Sequence, residues 1–264
     1  MPSSHETGTD ETSSHETGTD DHVLAARIAG RAGALLLEVR AEAGGETASL
    51  GAEGDRRAHE LIMAALRQAR PDDAVLSEEA VQSVVSTEHG RRRVWIVDPL
   101  DGTREFSEGR SDFAVHVALV ENGVPTVGAV ALPGEGLVLS TAEPPTAPAP
   151  HRGRIRILVS RTRPPAEVAT VAAKLDAELV PMGSAGAKTM AVVRGEGEIY
   201  LHSGGQYEWD SAAPVAVARA AGLHASRLDG SPLVYDRPDP WLPDLLVCRA
   251  EVVDQVLCAL GAAT

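Results

Sequence analysis

The residues best suited to chemistry in this sequence lie in Asp98-Pro99-Leu100-Asp101-Gly102-Thr103. Asp98 and Asp101 are three residues apart across a proline turn, so both carboxylates can point at one spot. If a helix starts at Gly102 and Thr103, its first backbone N–H groups form an anion site. This hexapeptide therefore combines candidate metal ligands with a candidate phosphate cradle.

Two further acidic motifs are Ser77-Glu78-Glu79 and Trp209-Asp210-Ser211-Ala212-Ala213. Carboxylates that converge without a cation repel one another by an amount on the order of several kcal/mol, and a divalent ion removes that conflict. All the candidate ligands are oxygen donors without a nearby Cys or His pair, which favours Mg²⁺ or Mn²⁺ over zinc. Two or three ions would suit a site that must also bridge a phosphate.

The alternative is that these acids are ordinary caps and turn residues, since Asp and Gly are common in turns. The context favours the metal site. Short apolar runs, 74–76 and 94–97, read as strands that lead directly into the first two acidic motifs.

The three motifs, in this order, resemble those of the inositol monophosphatase superfamily of lithium-sensitive, magnesium-dependent phosphatases. The motifs span residues from about 55 to 222, and the helix and strand order fits the chain from residue 23 onward. The resemblance implies the sugar-phosphatase fold, an α+β arrangement of alternating helix and sheet layers. It also implies a set of metal ligands: Glu78, Asp98, the Leu100 carbonyl, Asp101 and Asp210.

The resemblance also assigns roles around Thr103, which would help to position the attacking water, with Glu78 as a further catalytic residue. Asp55 would hydrogen-bond to that threonine, although the family's usual Thr-x-Ala-Asp is replaced here by Ala52-Glu53-Gly54-Asp55. The amides of Gly102 and Thr103 would hold the phosphate. Because the aspartates are three residues apart, not two as in haloacid dehalogenase-like enzymes, we expect in-line attack by metal-activated water without a phosphoaspartate.

Arg104-Glu105-Phe106 resembles the branch that removes the 3'-phosphate of 3'-phosphoadenosine 5'-phosphate in sulfate assimilation, giving AMP. Two loops, 183–188 and 228–233, resemble that branch's nucleotide side, and Lys188 or Arg161 could neutralise a second phosphate. The expected substrate-binding residues are Gly102, Thr103, Arg104, Gly183, Ser184, Lys188 and Asp210.

Each substrate-side feature also has a simpler interpretation. Residues 183–188 could be a turn before a packed helix, Arg161 and Arg163 surface charges, and Arg104 with Glu105 a rim ion pair. Two other functions remain open: a broader phosphatase for inositol monophosphate or fructose 1,6-bisphosphate, and a non-catalytic sensor of metal and nucleotide.

Hydrophobic periodicity predicts the elements that position these motifs. Helices are expected over 23–39 and up to Arg70, with Asp55 in the first turn or cap of the second. Asn122-Gly123 predicts a hairpin within an antiparallel meander. The prolines in 142–151 place a boundary near residue 150, between an N-terminal metal-binding domain (23–150) and an α/β substrate domain (151–264). In the latter we expect strands 155–159, 199–202 and 245–248 and helices 166–175, 187–193, 212–221 and 252–260.

Composition limits the remaining possibilities. The formal net charge of -14 argues against a nucleic-acid partner. Residues 3–10 recur as 13–20, and residues 1–22 are predicted to be a disordered acidic tail.

Cys248 and Cys258 lie in apolar stretches, so we expect no disulfide framework. With neither a secretory signal nor a membrane span in the pattern, we expect a cytoplasmic protein, and the resemblance suggests a homodimer. His116 is interpreted as a satisfied core or surface histidine and not as a ligand, and Trp209 as a core packing residue.

Overall fold

The computed structural model describes residues 20–45, 47–78, 93–162 and 164–262. The helices are α1 (Asp21–Glu42), α2 (Leu50–Ala69), α3 (Thr103–Ser107), α4 (Ala166–Leu175), α5 (Ala185–Val193), α6 (Glu208–Ala220) and α7 (Val253–Leu260). The strands are β1 (Ala74–Ser77), β2 (Arg93–Asp101), β3 (Ala114–Glu121), β4 (Val124–Leu132), β5 (Leu137–Ser140), β6 (Arg156–Ser160), β7 (Glu178–Met182), β8 (Ile199–Tyr207), β9 (His224–Ser226) and β10 (Trp241–Cys248).

The first sheet has the strand order β1-β2-β3-β4-β5. The predicted hairpin is confirmed: β3 and β4 pair antiparallel around Asn122 and Gly123, whose φ angles are 52° and 80°. The predicted meander is wrong for one strand, because β1 pairs parallel with β2. Across β2 and β3, Asp98 lies opposite His116, and the register then shifts before Asp101.

The second sheet has the order β7-β6-β8-β10-β9. Strand β6 is parallel to both β7 and β8, whereas β10 is antiparallel to β8 and β9. The strand β7, which the sequence analysis did not predict, forms one edge. Its residues are mostly exposed or half-buried, so they lack the apolar run that marks a strand.

Helices and sheets alternate in layers, as expected. Helices α1 and α2 cover the outer face of the first sheet, and α4 and α7 cover the outer face of the second. Helices α5 and α6 lie between the two sheets, in a core to which both sheets contribute. Residues 141–155 contain neither helix nor strand. The division into two domains near residue 150 stays a prediction.

Several predicted boundaries are corrected by the structure. Helix α1 begins at Asp21, with Asp20 as its N-cap. The last two residues of the predicted tail, Asp21 and His22, therefore belong to the helix. Residues 1–19 lie outside the described residues. Helix α2 begins at Leu50, which places Asp55 in the second turn and not in the first turn or cap. Strand β2 does not end at residue 97 but continues to Asp101.

Close packing explains why α2 starts earlier than its composition suggests. Gly51 and Gly54 weaken a helix in isolation, but they let it approach the neighbouring helix. A Cβ at Gly54 would lie 2.9 Å from the Phe106 ring, and one at Gly51 would lie 2.6 Å from Thr103 Cγ2. Tertiary contact with α3 therefore overrides the local propensity.

The described cysteines are both free. Cys248 is buried, as expected for a small apolar residue, whereas Cys258 is exposed on α7. Among the described helices, none is long and apolar enough to cross a membrane.

The contact between α6 and β4 generates a stability prediction. At Gly128 a Cβ would lie 2.6 Å from Ala216 Cβ and 2.7 Å from the Ala213 carbonyl oxygen. Gly128→Ala should therefore lower the free energy of unfolding by about 1–3 kcal/mol, because the helix must move away from the sheet. Urea unfolding of the purified variant measures the effect.

Gly30→Ala is the matched control, because its Cβ would meet only Val138 Cγ2 at 3.4 Å. A helix gains from alanine at such a position, so stability should be unchanged or higher by up to about 1 kcal/mol. Equal stability of wild type and Gly128→Ala would contradict the packing described.

Candidate active site

Three carboxylates converge between the first sheet and α6. Ligand oxygens of Asp98, Asp101 and Asp210 all lie within 4.8 Å of one another. Asp98 and Asp101 come from β2, and Asp210 from the first turn of α6. We call these three residues the acidic triad. Asp101 and Asp210 are 109 residues apart in the sequence, and their carboxylates lie close together, as the sequence predicts.

Local hydrogen bonds orient the triad. The Leu100 N–H donates to Asp98 Oδ1 (3.0 Å), which stabilises the turn after Asp98. The Tyr207 N–H donates to Asp210 Oδ2 (2.6 Å), so Asp210 caps its own helix. Because these bonds are backbone contacts, the directions of the two carboxylates follow from the path of the chain.

Burial and mutual repulsion raise two pKa values in the triad. Burial, then the charges of Asp101, Glu78 and Asp210, raise the pKa of Asp98 well above its usual range. Burial, then the charge of Asp101, raises the pKa of Asp210 to about 7. Without a cation, the cluster therefore favours protonation over full ionisation.

Asp101 differs because it accepts several hydrogen bonds. Burial acts to raise its pKa, but the close contact with His116 and hydrogen bonds from Ser184 and Gly186 outweigh it and lower the pKa to about 2. Ser184 Oγ lies 2.5 Å from Asp101 Oδ2, and the N–H groups of Gly186 and Ala185 donate at 2.6 and 3.2 Å. The loop at the start of α5 thus binds this carboxylate, in keeping with a turn before a packed helix.

His116 is a core histidine, one of the two alternatives expected, but its contact with the acidic triad was not predicted. Its ring is fully buried, with Nδ1 3.0 Å from the Trp209 carbonyl oxygen and Nε2 3.3 Å from Asp101 Oδ2. Burial acts to lower its pKa, but the contact with Asp101 outweighs burial and the pKa is raised. Only the strand pairing, which sets His116 opposite Asp98, could have indicated this role.

Thr103 and Asp55 lie together beside the triad. Thr103 Oγ1 is 3.2 Å from Asp55 Oδ2 and 3.1 Å from the Leu100 carbonyl oxygen. Gly102, at φ 87°, immediately precedes α3, so its neighbour Thr103 starts that helix as expected. The absence of a side chain at Gly54 leaves room for Phe106 against α2.

Glu78 lies at the edge of the described residues, since 79–92, including Glu79, fall outside them. Its charge contributes to the raised pKa values of Asp98 and Asp210, so it is near both. Its carboxylate does not belong to the group within 4.8 Å. Its role as a metal ligand stays a prediction.

The predicted substrate-side cations are engaged with the protein. Lys188 is buried, and its Nζ donates to the carbonyl oxygens of Ser184 (2.6 Å) and Gly183 (3.2 Å). Arg161 pairs with Glu105 (2.6 Å) and Glu108 (2.9 Å). Arg163 lies outside the described residues.

The alternative interpretation of Arg104 and Glu105 as a rim ion pair is wrong. Arg104 pairs with Glu108 at 2.8 Å, four residues along, because that residue lies one helical turn away on the same exposed face. Glu105 points inward, is buried and pairs with Arg161.

Glu208 was also missed by the sequence analysis. It is fully buried, and its carboxylate accepts hydrogen bonds from the N–H groups of Asp236 (2.8 Å) and Arg237 (3.0 Å). Burial raises the pKa of Glu208 to about 7. It ties the segment before β10 to the start of α6, next to Asp210. Trp209 is buried, as predicted.

The triad fits a hard divalent cation. Its donors are all oxygen atoms, and a positive charge would relieve the repulsion that raises the pKa of Asp98. Asp98, Asp101 and Asp210 would hold the ion.

Residues 20–259 match the inositol monophosphatase family, and the chain belongs to that family. Its fold agrees: the structure of an inositol monophosphatase family CysQ from Bacteroides thetaiotaomicron matches with a TM-score of 0.75 at 27% identity, covering 89% of this chain and 98% of that one. Mycobacterium tuberculosis SuhB matches with a TM-score of 0.71 at 22% identity, covering 93% and 97%.

Particular curated relatives are more similar in sequence. The 3'-phosphoadenosine 5'-phosphate phosphatase of Mycobacterium tuberculosis is 53% identical over 242 residues, covering 88% of this chain and 90% of the relative. The 3'(2'),5'-bisphosphate nucleotidase CysQ of Escherichia coli K12 is 36% identical over 200 residues, covering 71% and 80%.

The raised pKa of Asp210 makes stability depend on pH when divalent ions are chelated. A carboxyl with a pKa of about 7 when folded and 3.8 as a free side chain is protonated in both states at low pH. Folding is then progressively disfavoured as pH rises from about 4 to 7. Relative to Asp210→Asn, wild type should lose on the order of a few kcal/mol across that window, measured by urea unfolding in a chelator.

Asp72→Asn, at an exposed position in the turn after α2, controls for the charge change and should follow the wild-type profile. If the free energy of unfolding changed with pH equally in wild type and in Asp210→Asn, the pKa of Asp210 would not be raised in the folded protein.

Proposed function

We propose that this chain is a Mg²⁺-dependent phosphomonoesterase that removes the 3'-phosphate of 3'-phosphoadenosine 5'-phosphate, yielding AMP and phosphate. The observation that carries the proposal is the acidic triad, with Asp98 and Asp101 buried and Asp210 half-buried, beside the contact between Thr103 and Asp55. The substrate follows from the names of the relatives that are 53% identical over most of both chains.

Two or three magnesium ions at Glu78, Asp98, Asp101, Asp210 and the Leu100 carbonyl would activate water and neutralise charge on the phosphate when bound. The protein's own part is to hold these oxygen donors in place. Hydrogen bonds fix Asp101 as an anion, whereas Asp98 and Asp210 ionise readily only beside a cation.

Thr103 and Asp55 would orient the attacking water. When the Thr103 hydroxyl donates its proton to Asp55, the lone pairs of Oγ1 are left to accept a hydrogen bond from water. Glu78, whose charge acts on Asp98 and Asp210, would assist as a further carboxylate. The N–H groups of Gly102 and Thr103, at the start of α3, would hold phosphate oxygens.

The proposed substrate side includes Arg104, Gly183, Ser184 and Lys188. Some of these residues would contact the substrate, whereas Lys188 would act through the loop that it binds. Since Lys188 Nζ donates to the Gly183 and Ser184 carbonyls, it acts by shaping that loop. Arg104 is exposed and could exchange Glu108 for a phosphate, because an exposed ion pair is worth at most about 1 kcal/mol.

We also propose that the protein works in the cytoplasm as a homodimer, without a nucleic-acid partner. The acidic charge of -14 supports the last point, because it disfavours contact with a phosphate backbone.

A substrate panel tests the proposed activity. With Mg²⁺ present, kcat/KM for 3'-phosphoadenosine 5'-phosphate should exceed that for inositol 1-phosphate and for fructose 1,6-bisphosphate. Phosphate release measures all three. A higher efficiency with inositol 1-phosphate would overturn the substrate assignment in favour of a broader sugar phosphatase.

Replacing one triad carboxylate separates an enzyme from a sensor. Asp98→Asn should lower kcat by more than about 100-fold, because it removes a ligand without changing side-chain volume. Its circular dichroism spectrum should match that of wild type, and Asp72→Asn should keep wild-type activity. Wild-type turnover in Asp98→Asn would rule out the metal assignment.

Magnesium should also stabilise the folded protein, since the triad binds the ion only when folded. At about 100 times its Kd, Mg²⁺ should add about 2.7 kcal/mol to the free energy of unfolding of wild type. Asp98→Asn should gain clearly less. An equal gain in both proteins would indicate that the ion binds elsewhere.

A further inference from the structure

An aromatic pair lies exposed where β8 meets α6. Tyr207 and Trp241 keep 42% and 40% of their surface exposed. The chain has three Trp, three Tyr and two Phe residues, and the other six are buried. The exposed aromatic surface of this protein is thus concentrated at one place.

That place adjoins the acidic triad. The Tyr207 N–H donates to Asp210 Oδ2 at 2.6 Å, so the aromatic residue and the triad carboxylate share the first turn of α6. A molecule whose phosphate lies at the triad would therefore have its remaining part within reach of this pair.

The rings form an ordered group. Tyr207 stacks on the buried Trp209, with 4.6 Å between ring centroids and 11° between planes. Trp241 meets Tyr207 edge to face, at 5.3 Å and 79°. A ring held in this way loses little conformational freedom when a ligand stacks on it.

The backbone makes room for Trp241 and holds its segment. A Cβ at Gly205 would lie 1.6 Å from Trp241 Cζ2, so only glycine allows the indole to lie against β8. The Glu208 N–H donates to the Pro240 carbonyl oxygen at 2.9 Å, and its carboxylate binds the Asp236 and Arg237 amides. The segment that carries Trp241 is thereby fixed to the start of α6.

Recognition of the base needs a surface of another kind, because Lys188 and Arg161, which were expected to neutralise the second phosphate, are engaged within the protein. Lys188 is buried against two carbonyl oxygens, and Arg161 is paired with two glutamates. Stacking on an aromatic ring is the common alternative by which proteins hold a base.

We propose that Tyr207 and Trp241 form the surface on which the purine base of the substrate stacks. This inference rests on the proposed function and assigns the binding site for its base. It makes the two side chains determinants of substrate choice: they favour nucleotides over phosphate esters that lack an aromatic group. The Tyr207 hydroxyl is not needed, since stacking uses the face of the ring.

The test compares two substrates that share both phosphates. 3'-Phosphoadenosine 5'-phosphate carries a base, and ribose 3,5-bisphosphate does not. In Tyr207→Ala and in Trp241→Ala, kcat/KM for the nucleotide should fall about tenfold more than kcat/KM for the sugar, mainly through KM. Tyr207→Phe should retain the wild-type preference. Val138→Ala, at a residue 43% exposed on β5, is the control.

Equilibrium binding of AMP, measured by titration calorimetry, separates this inference from the proposed activity. Weaker AMP binding in both alanine variants, with wild-type melting temperatures, supports the stacking surface even if wild type fails to hydrolyse the nucleotide. Failure of wild-type hydrolysis alone overturns the proposed function. Equal losses on both substrates, or unchanged AMP binding in the variants, would overturn the stacking surface. So would a change in oligomeric state that accounts for the losses.

Discussion

Electrostatic repulsion between buried carboxylates is the constraint on which this site depends. Asp98, Asp101 and Asp210 bring their oxygens within 4.8 Å of one another, and Asp98 and Asp101 are buried while Asp210 is half-buried, so little water screens them. One of the three, Asp101, is kept anionic by surrounding donors, and its charge in turn raises the pKa of the other two. A divalent cation resolves this conflict, and the same cation is what phosphate-ester chemistry needs.

The layered fold holds these groups together against that repulsion. Strand β2 supplies two of the carboxylates, and α6, packed between the sheets, brings the third to meet them. His116 extends the arrangement: it links Asp101 in the first sheet to the Trp209 carbonyl in α6. The site is therefore assembled at the contact between a sheet and a helix, and it depends on their close approach at Gly128.

Much of this could be predicted from the sequence, because the chemistry lies in short motifs with apolar runs beside them. The family, the layered fold and the convergence of Asp98, Asp101 and Asp210 were expected and are observed. Contacts set by strand register and tertiary packing could not be predicted in this way. His116 looks like any histidine in a strand until β2 and β3 are paired, and Glu208 like any acid at a helix start until the segment before β10 is placed over it. The pairing of Arg161 with Glu105 likewise joins residues 56 apart, beyond the reach of any local pattern.

The central claim is that the acidic triad is a divalent-cation site. Anomalous diffraction from crystals grown with Mn²⁺ tests it most directly, because manganese can replace magnesium at oxygen ligands and scatters anomalously. The account predicts an anomalous peak bounded by Asp98, Asp101 and Asp210, at roughly 2.1 Å from their carboxylate oxygens. Absence of a peak there at saturating Mn²⁺, with the three carboxylates still in contact, would contradict it.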